Sequence, residues 1–202
     1  IVAKKTILAT GGLGHIFLHT TNVPGSVGHG VAMAYRVGAR LIDLEYVQFH
    51  PTVFAKKNAP RFLVTEALRG EGAVLLNARG ERFMDAVDPR GSLASRDVVA
   101  RAILDRMNLT KQPMVFLDLT GIGKDKLTRS FPGILAICRQ FDIDPVREPI
   151  PVRPGAHYHM GGVDTDVWGR TTLEGLYAAG EVACVSVHGA NRLGGNELME
   201  TI

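Results

Sequence analysis

Apolar positions along the chain change rhythm twice, and the changes divide it into three stretches. Residues 6–10 are a short, nearly continuous apolar run, which predicts a buried strand, and they meet the tight turn Gly11-Gly12-Leu13-Gly14. Residues 28–37 read as a short buried helix entered through glycines and closed by Gly38. A strand over 40–47 then delivers Gln48-Phe-His-Pro-Thr52, where Pro51 pushes His50 to extended backbone. Beyond this the pattern shortens. Residues 73–77 and 81–84 around Gly80 predict a β-hairpin. From Ser95 to about Met107 the positions Val98, Val99, Ala102 and Ile103 fall on one face of a helix, with Ser95 as N-cap and Arg96 first in the helix. A strand over 114–118 follows, then one or two helices over 124–141 interrupted at Pro132, then a proline-punctuated loop over 142–149. From Ile150 the α/β rhythm returns, with a turn at 167–170 and a strand over 176–179. The layout predicted is a discontinuous α/β domain, residues 1–50 and 151–202, with a second domain inserted over 51–150.

The strand over 176–179 runs into a glycine-rich stretch, 180–196, that holds His188, Arg192, Asn191 and Asn196. Clustered glycine usually means that something approaches the backbone closely. Behind a strand, that something is an anionic or flat ligand, or else nothing but a connection. Arg192 favours a ligand, because a planar fork of donors suits a carboxylate. Arg96 sits at the positive end of its predicted helix, where a cation is disfavoured by about 0.3–1 kcal/mol. Either it serves a function or it pairs with neighbouring Asp97. Gly12-Leu13-Gly14 is no dinucleotide fingerprint, since Phe17 stands where a third glycine is needed.

Composition narrows the picture. The 202 residues suffice for one or two domains, and 46% hydrophobic with 21% charged residues is ordinary for a globular protein. No apolar run approaches a membrane span, and a net charge of +3 is too small and dispersed for nucleic acid, though it fits a small anionic substrate. Cys138 and Cys184 form no C-x-x-C, which sets a reduced, cytoplasmic environment as the default. The start at Ile1 and the end at Glu200-Thr-Ile202, inside a helix opening, read as an excised piece of a longer chain with sheet edges open to self-association. His50, Arg96, His157 and Arg192 each end a separate segment beside a glycine or proline turn. Together they suggest a pocket in which each carboxylate of a dicarboxylate meets its own donors. His157 and His159 project to one face of a strand, but no acidic or cysteine partners accompany them, so a metal site is not expected.

At this point the motifs themselves become recognisable. Ala9-Thr-Gly-Gly12, Gln48-Phe-His-Pro-Thr52, Thr65-Glu-Ala-Leu-Arg-Gly-Glu-Gly72, Ser95-Arg-Asp-Val-Val-Ala-Arg101, His157-Tyr158, Gly180-Glu181 and His188-Gly-Ala-Asn-Arg-Leu193 resemble the succinate dehydrogenase/fumarate reductase flavoprotein superfamily over essentially the whole chain. The resemblance implies part of a Rossmann-like FAD-binding domain, α/β, carrying an inserted α+β capping domain. It implies FAD as cofactor, with Thr10, Gly11, Gly12, Glu181, Asn196, Glu197 and Leu198 at flavin-contact positions. His50, Thr65, His157 and Arg192 match the substrate's carboxylate holders, and Arg96 matches the arginine that moves a proton while hydride passes to or from the flavin. The connection between Phe116 and Val152 and the turn at Trp168 resemble members that oxidise L-aspartate and hand iminoaspartate to quinolinate synthase. Gly194-Gly195 and Val185-Ser-Val-His188 resemble members that oxidise succinate. The superfamily usually has Asp where His29 stands and Ser where Glu197 stands. A carboxylate at 197 beside the ring would disfavour reduced flavin. Without the superfamily's first strand–helix–strand and its C-terminal helical domain, the residues by themselves are expected to be inactive.

Overall fold

The structure, a computed structural model, describes residues 2–201. The chain divides into two compact units, one formed by Ile1–Phe49 with Ala156–Ile202 and the other by His50–Gly155. Two strands, Val47–Phe54 and Ile150–His159, run through the points where the chain passes from one unit to the other.

In the first unit β1 (Thr6–Leu8) lies parallel to the late strand β8 (Leu176–Ala178), with Ile7 opposite Tyr177. Contrary to the buried strand expected, Ile7 is 68% exposed. β8 also bridges to Arg170, but β1 is a three-residue strand of this two-stranded sheet, too short to bury its apolar positions however apolar the sequence is. Helix α1 (His29–Arg36) begins at Gly28, whose φ of 77° is open to glycine at little cost, and ends before Gly38. Only Gly30, Val31 and Ala34 are buried, so the helix is amphipathic rather than buried throughout, and Met33 and Tyr35 face outward. Where a single strand was expected over 40–47, the backbone turns at Asp43 (φ 55°) after β2 (Leu41–Ile42). β2 joins a second sheet, antiparallel to β7 (Gly162–Asp164), which runs parallel to β9 (Ala183–Cys184). Val163, Ala178, Val182 and Ala183 pack with α1 to form this unit's core.

The second unit is larger in its apolar content. Strand β3 (Val47–Phe54) is the edge of a sheet ordered β3, β6 (Ile150–His159), β5 (Val115–Asp118), β4 (Val74–Leu76). Pro51 lies inside β3 although it has no N–H to give a ladder, and residues 62–64 pair with the strand's other side. His50 therefore lies within a strand rather than after one. β5 pairs antiparallel with both neighbours, Leu117 standing opposite Leu75 on one side and Ile150 on the other, and all three are buried. The expected hairpin is shorter than its pattern suggests: beyond β4 its return arm is a single bridge, Leu76 to Arg82. Phe83 and Met84 turn away into the core, where burial outweighs continuing a two-stranded ribbon.

Helix α2 (Ala67–Gly70) is one turn, and α3 (Arg96–Thr110) runs somewhat past its expected end to Lys111 at φ 54°. Val99, Ala102, Ile103 and Met107 pack into the same core as β4 and β5. The interruption at Pro132 is a clean break: α4 (Lys124–Ser130) stops and α5 (Pro132–Arg139) restarts with proline in its first turn. The chain's last described element is α6 (Leu198–Thr201); Ile202, part of the expected helix opening, lies outside the described residues. No helix among the described residues is long and apolar enough to cross a membrane.

Candidate functional site

The second unit holds His50, Thr65 and Arg96. His50 is fully buried on β3, and its Nδ1 accepts the Thr52 backbone N–H at 3.2 Å, which fixes the ring within the strand's own path. The Thr65 hydroxyl accepts the Ala67 N–H at 3.3 Å as the chain enters α2. Ser95 stands at the N-cap of α3 as expected, but its hydroxyl makes no bond to the helix backbone. It donates instead to Asp97 at 2.6 Å, and Asp97 also takes Arg101 one turn on. Burial pushes the Asp97 carboxyl up, but the Ser95 hydroxyl, Arg101 and the Val98 N–H outweigh it and hold it below the usual range.

Arg96 is ion-paired with Glu66. Its Nε and Nη2 both donate to Glu66, at 2.9 and 2.7 Å, and its side chain is only 10% exposed. The other Glu66 oxygen accepts Arg69 Nη2 at 2.9 Å. Arg69 is almost wholly buried and passes Nη1 to the Ser92 carbonyl at 2.7 Å. A buried guanidinium needs a counter-charge, and Glu66 supplies it to two of them. Burial pushes the Glu66 carboxyl up, yet Arg96 and Arg69 together hold it below its ordinary value. Glu66 and Arg69 were legible only as members of a motif. Their spacing of three along one turn was the available signal.

The first unit holds the other candidates. Arg192 is 3% exposed, with its guanidinium carbon 4.3 Å from the centre of the Tyr158 ring, a cation–π stack. Gln48 donates to the Arg192 carbonyl at 2.6 Å and pins its backbone. Nη1 of Arg192 is ion-paired with the Glu197 carboxylate. His157 and the Thr21 hydroxyl are 2.7 Å apart, and His188 meets the Tyr158 ring edge-on at 5.8 Å. His159 shares the strand but not the setting: it is fully buried, its Nε2 stands 3.3 Å from the Leu44 carbonyl, and burial holds its pKa below the ordinary 6.5.

Of the positions expected to contact a flavin, Thr10, Gly11 and Gly12 follow β1 and Glu181 lies against Gly12. Glu181 turns its carboxylate back to accept the His159 N–H at 2.8 Å, and lies so close to Gly12 that a Cβ there would collide with it. Gly30 likewise leaves no room for a side chain beside Thr10. Gly11 takes φ 71° with open space around it. Asn196, Glu197 and Leu198 lead into α6, which packs on Gly180–Val182, and Leu198 presents an exposed apolar face. Bare glycine backbone, a fixed carboxylate and an exposed leucine suit a large flat ligand that hydrogen-bonds to the main chain. The residues present therefore fit a flavin.

A family profile described as FAD binding domain matches residues 1–198, and the chain belongs to that family; its cofactor is FAD. The L-aspartate oxidases of Mesorhizobium japonicum and Synechocystis are 54% and 51% identical to it, over 98% and 99% of this chain and 38% and 37% of theirs. That of Mycobacterium tuberculosis is 52% identical over 99% of this chain. The chain thus spans little more than a third of the curated relatives it matches. Among solved structures, a mutant E. coli quinol fumarate reductase subunit is 38% identical with a TM-score of 0.88, covering 98% of this chain and 36% of its own. A flavocytochrome c3 fumarate reductase in an open conformation is 28% identical with a TM-score of 0.67, over 98% and 44%.

Proposed function

We propose that the intact protein oxidises L-aspartate to iminoaspartate, the unit Ile1–Phe49 with Ala156–Ile202 serving the cofactor and His50–Gly155 serving as cap. The identity of more than half to aspartate oxidases along nearly the whole chain carries this reading. FAD supplies the ring that takes hydride from the substrate carbon. By their motif positions, His50, Thr65, His157 and Arg192 are the residues that hold the substrate's carboxylates. A carboxylate gripped by a fixed guanidinium is oriented as well as bound, which is where much of the rate gain from positioning arises.

Arg96 moves the proton. Arginine is a poor acid in water, and two features of the second unit change its circumstances. It stands at the positive end of α3, which disfavours a cation there. Glu66, bonded to both Nε and Nη2, fixes the plane of the guanidinium and is the adjacent group through which a proton can be replaced. In aspartate oxidation the hydride leaves the α-carbon and a proton leaves the nitrogen. In fumarate reduction one olefinic carbon receives the hydride and the other the proton. The cytoplasm suits such chemistry on a soluble metabolite, with quinolinate synthase consuming the unstable imine.

The likeness to fumarate reductase structures, with a TM-score of 0.88, supports a second reading, a succinate- or fumarate-handling flavoprotein subunit. Steady-state turnover of the flavin-loaded intact protein separates the two. Aspartate should drive peroxide formation under oxygen, with succinate oxidised far more slowly. Succinate turnover with no aspartate turnover would replace the first reading by the second.

A further inference from the structure

Arg192, the best-placed carboxylate holder of the first unit, already carries a carboxylate from its own chain. Glu197 is five residues further on, at the entrance to α6, and is ion-paired with Nη1. The two partners are unequally placed: the Arg192 side chain is 3% exposed and that of Glu197 38%. The arginine is therefore fixed, by the Tyr158 ring against its guanidinium and by Gln48 on its backbone, while the glutamate reaches in from a solvent-facing position. A guanidinium grips carboxylates through paired N–H groups, and Glu197 takes one end of that fork.

We propose that Glu197 is a specificity-determining residue that selects, among dicarboxylates, those that carry an ammonium group. The inference rests on the reading that Arg192 binds a substrate carboxylate. A ligand carboxylate approaching Arg192 must displace Glu197, which breaks the ion pair, or share the guanidinium with it, which brings two like charges within a few ångströms. Like-charge juxtaposition costs affinity, screened in part by water because Glu197 is 38% exposed. A substrate with an ammonium beside that carboxylate brings Glu197 a partner and cancels the repulsion. Fumarate and succinate bring only negative charge. The serine usual in the superfamily at this position has no charge to exert such a preference, so the discrimination would belong to this chain's own sequence.

Binding of fumarate, succinate and L-aspartate to the intact flavin-loaded protein, measured by titration calorimetry, tests the proposal without requiring turnover. In Glu197→Gln and Glu197→Ser, fumarate and succinate should tighten by about tenfold while L-aspartate changes by less than about threefold, so that the preference for aspartate narrows. Glu197→Asp keeps the charge and should keep the wild-type ratio, which guards against a merely structural effect of the neutral variants. An equal change for all three ligands in the neutral variants, no change, or a weakening of fumarate and succinate would overturn the proposal. Arg192→Leu separates it from the reading beneath it. If that variant binds all three ligands as wild type does, Arg192 is no carboxylate holder and both ideas fall. If it weakens all three while the Glu197 variants leave their ratios unchanged, the inference alone falls.

Discussion

Arg96 and Arg192 are both buried guanidinium groups held by a glutamate, yet they should fail differently when removed. On the proposed role of Arg96 in proton transfer, Arg96→Leu in the intact protein should lower kcat by about a thousandfold with flavin still bound. On the proposed role of Arg192 as a carboxylate holder, Arg192→Leu should mainly raise KM, by about ten- to a hundredfold, through loss of charged hydrogen bonds. Steady-state kinetics together with the visible flavin absorbance check both. His159 gives a pH signature of its own. Its folded pKa lies below the unfolded 6.5, because burial disfavours the cation, so the unfolded chain binds the proton first. Stability on this account is fully present above pH 6.5 and is lost as pH falls below it. Denaturant midpoints measured through that window should decline, and His159→Gln should flatten the decline.

Among the elements, the strand junctions are governed by what cannot be fitted there. Gly161 lies against the Asp43 carbonyl so closely that a Cβ would overlap backbone, and backbone cannot rotate away as a side chain can. Gly161→Ala should therefore destabilise the first unit by about 1–3 kcal/mol, read as a shift in denaturant midpoint at constant slope. In the second unit the corresponding weak point is β5, central in contact with two strands. Leu117 is fully buried between Leu75 and Ile150, and Leu117→Ala should cost about 2–5 kcal/mol. The interruption at Pro132, the turn at Gly38 and the strand at β5 follow from local chemistry, and the sequence pattern alone finds them. The N-cap of α3 shows where that stops. Ser95 has the right identity and place, but a charged neighbour, Asp97, competes for its hydroxyl and wins.

At the scale of the molecule, protection from exchange should follow the two units' different cores. The second buries Phe54, Leu68, Leu75, Leu117, Leu119 and Ile150 completely or nearly so, whereas β1 and β8 form a sheet of two short strands that leaves Ile7 outside. Amides of β5 and the middle of α3 should exchange more slowly than those of β1 by mass-resolved hydrogen exchange. The reverse order would mean that the first unit's stability has another source than its described core.

Residue identity and spacing alone determined the kinds of element, the breaks at glycine and proline, the discontinuous α/β layout and the set of motifs that the family shares. These are local facts, carried by side-chain volume, backbone freedom and period. Tertiary structure decided which charges meet. Nothing within thirty residues of Arg96 in the local pattern marks Glu66 as its partner; the chain's path through α2 and the turn before α3 brings them together. Likewise a carboxylate at 197 reads in sequence as a neighbour of a flavin, and only the fold directs it to Arg192. Charge pairing acts through space over a few ångströms, so it is fixed by where the backbone goes rather than by what precedes or follows a residue.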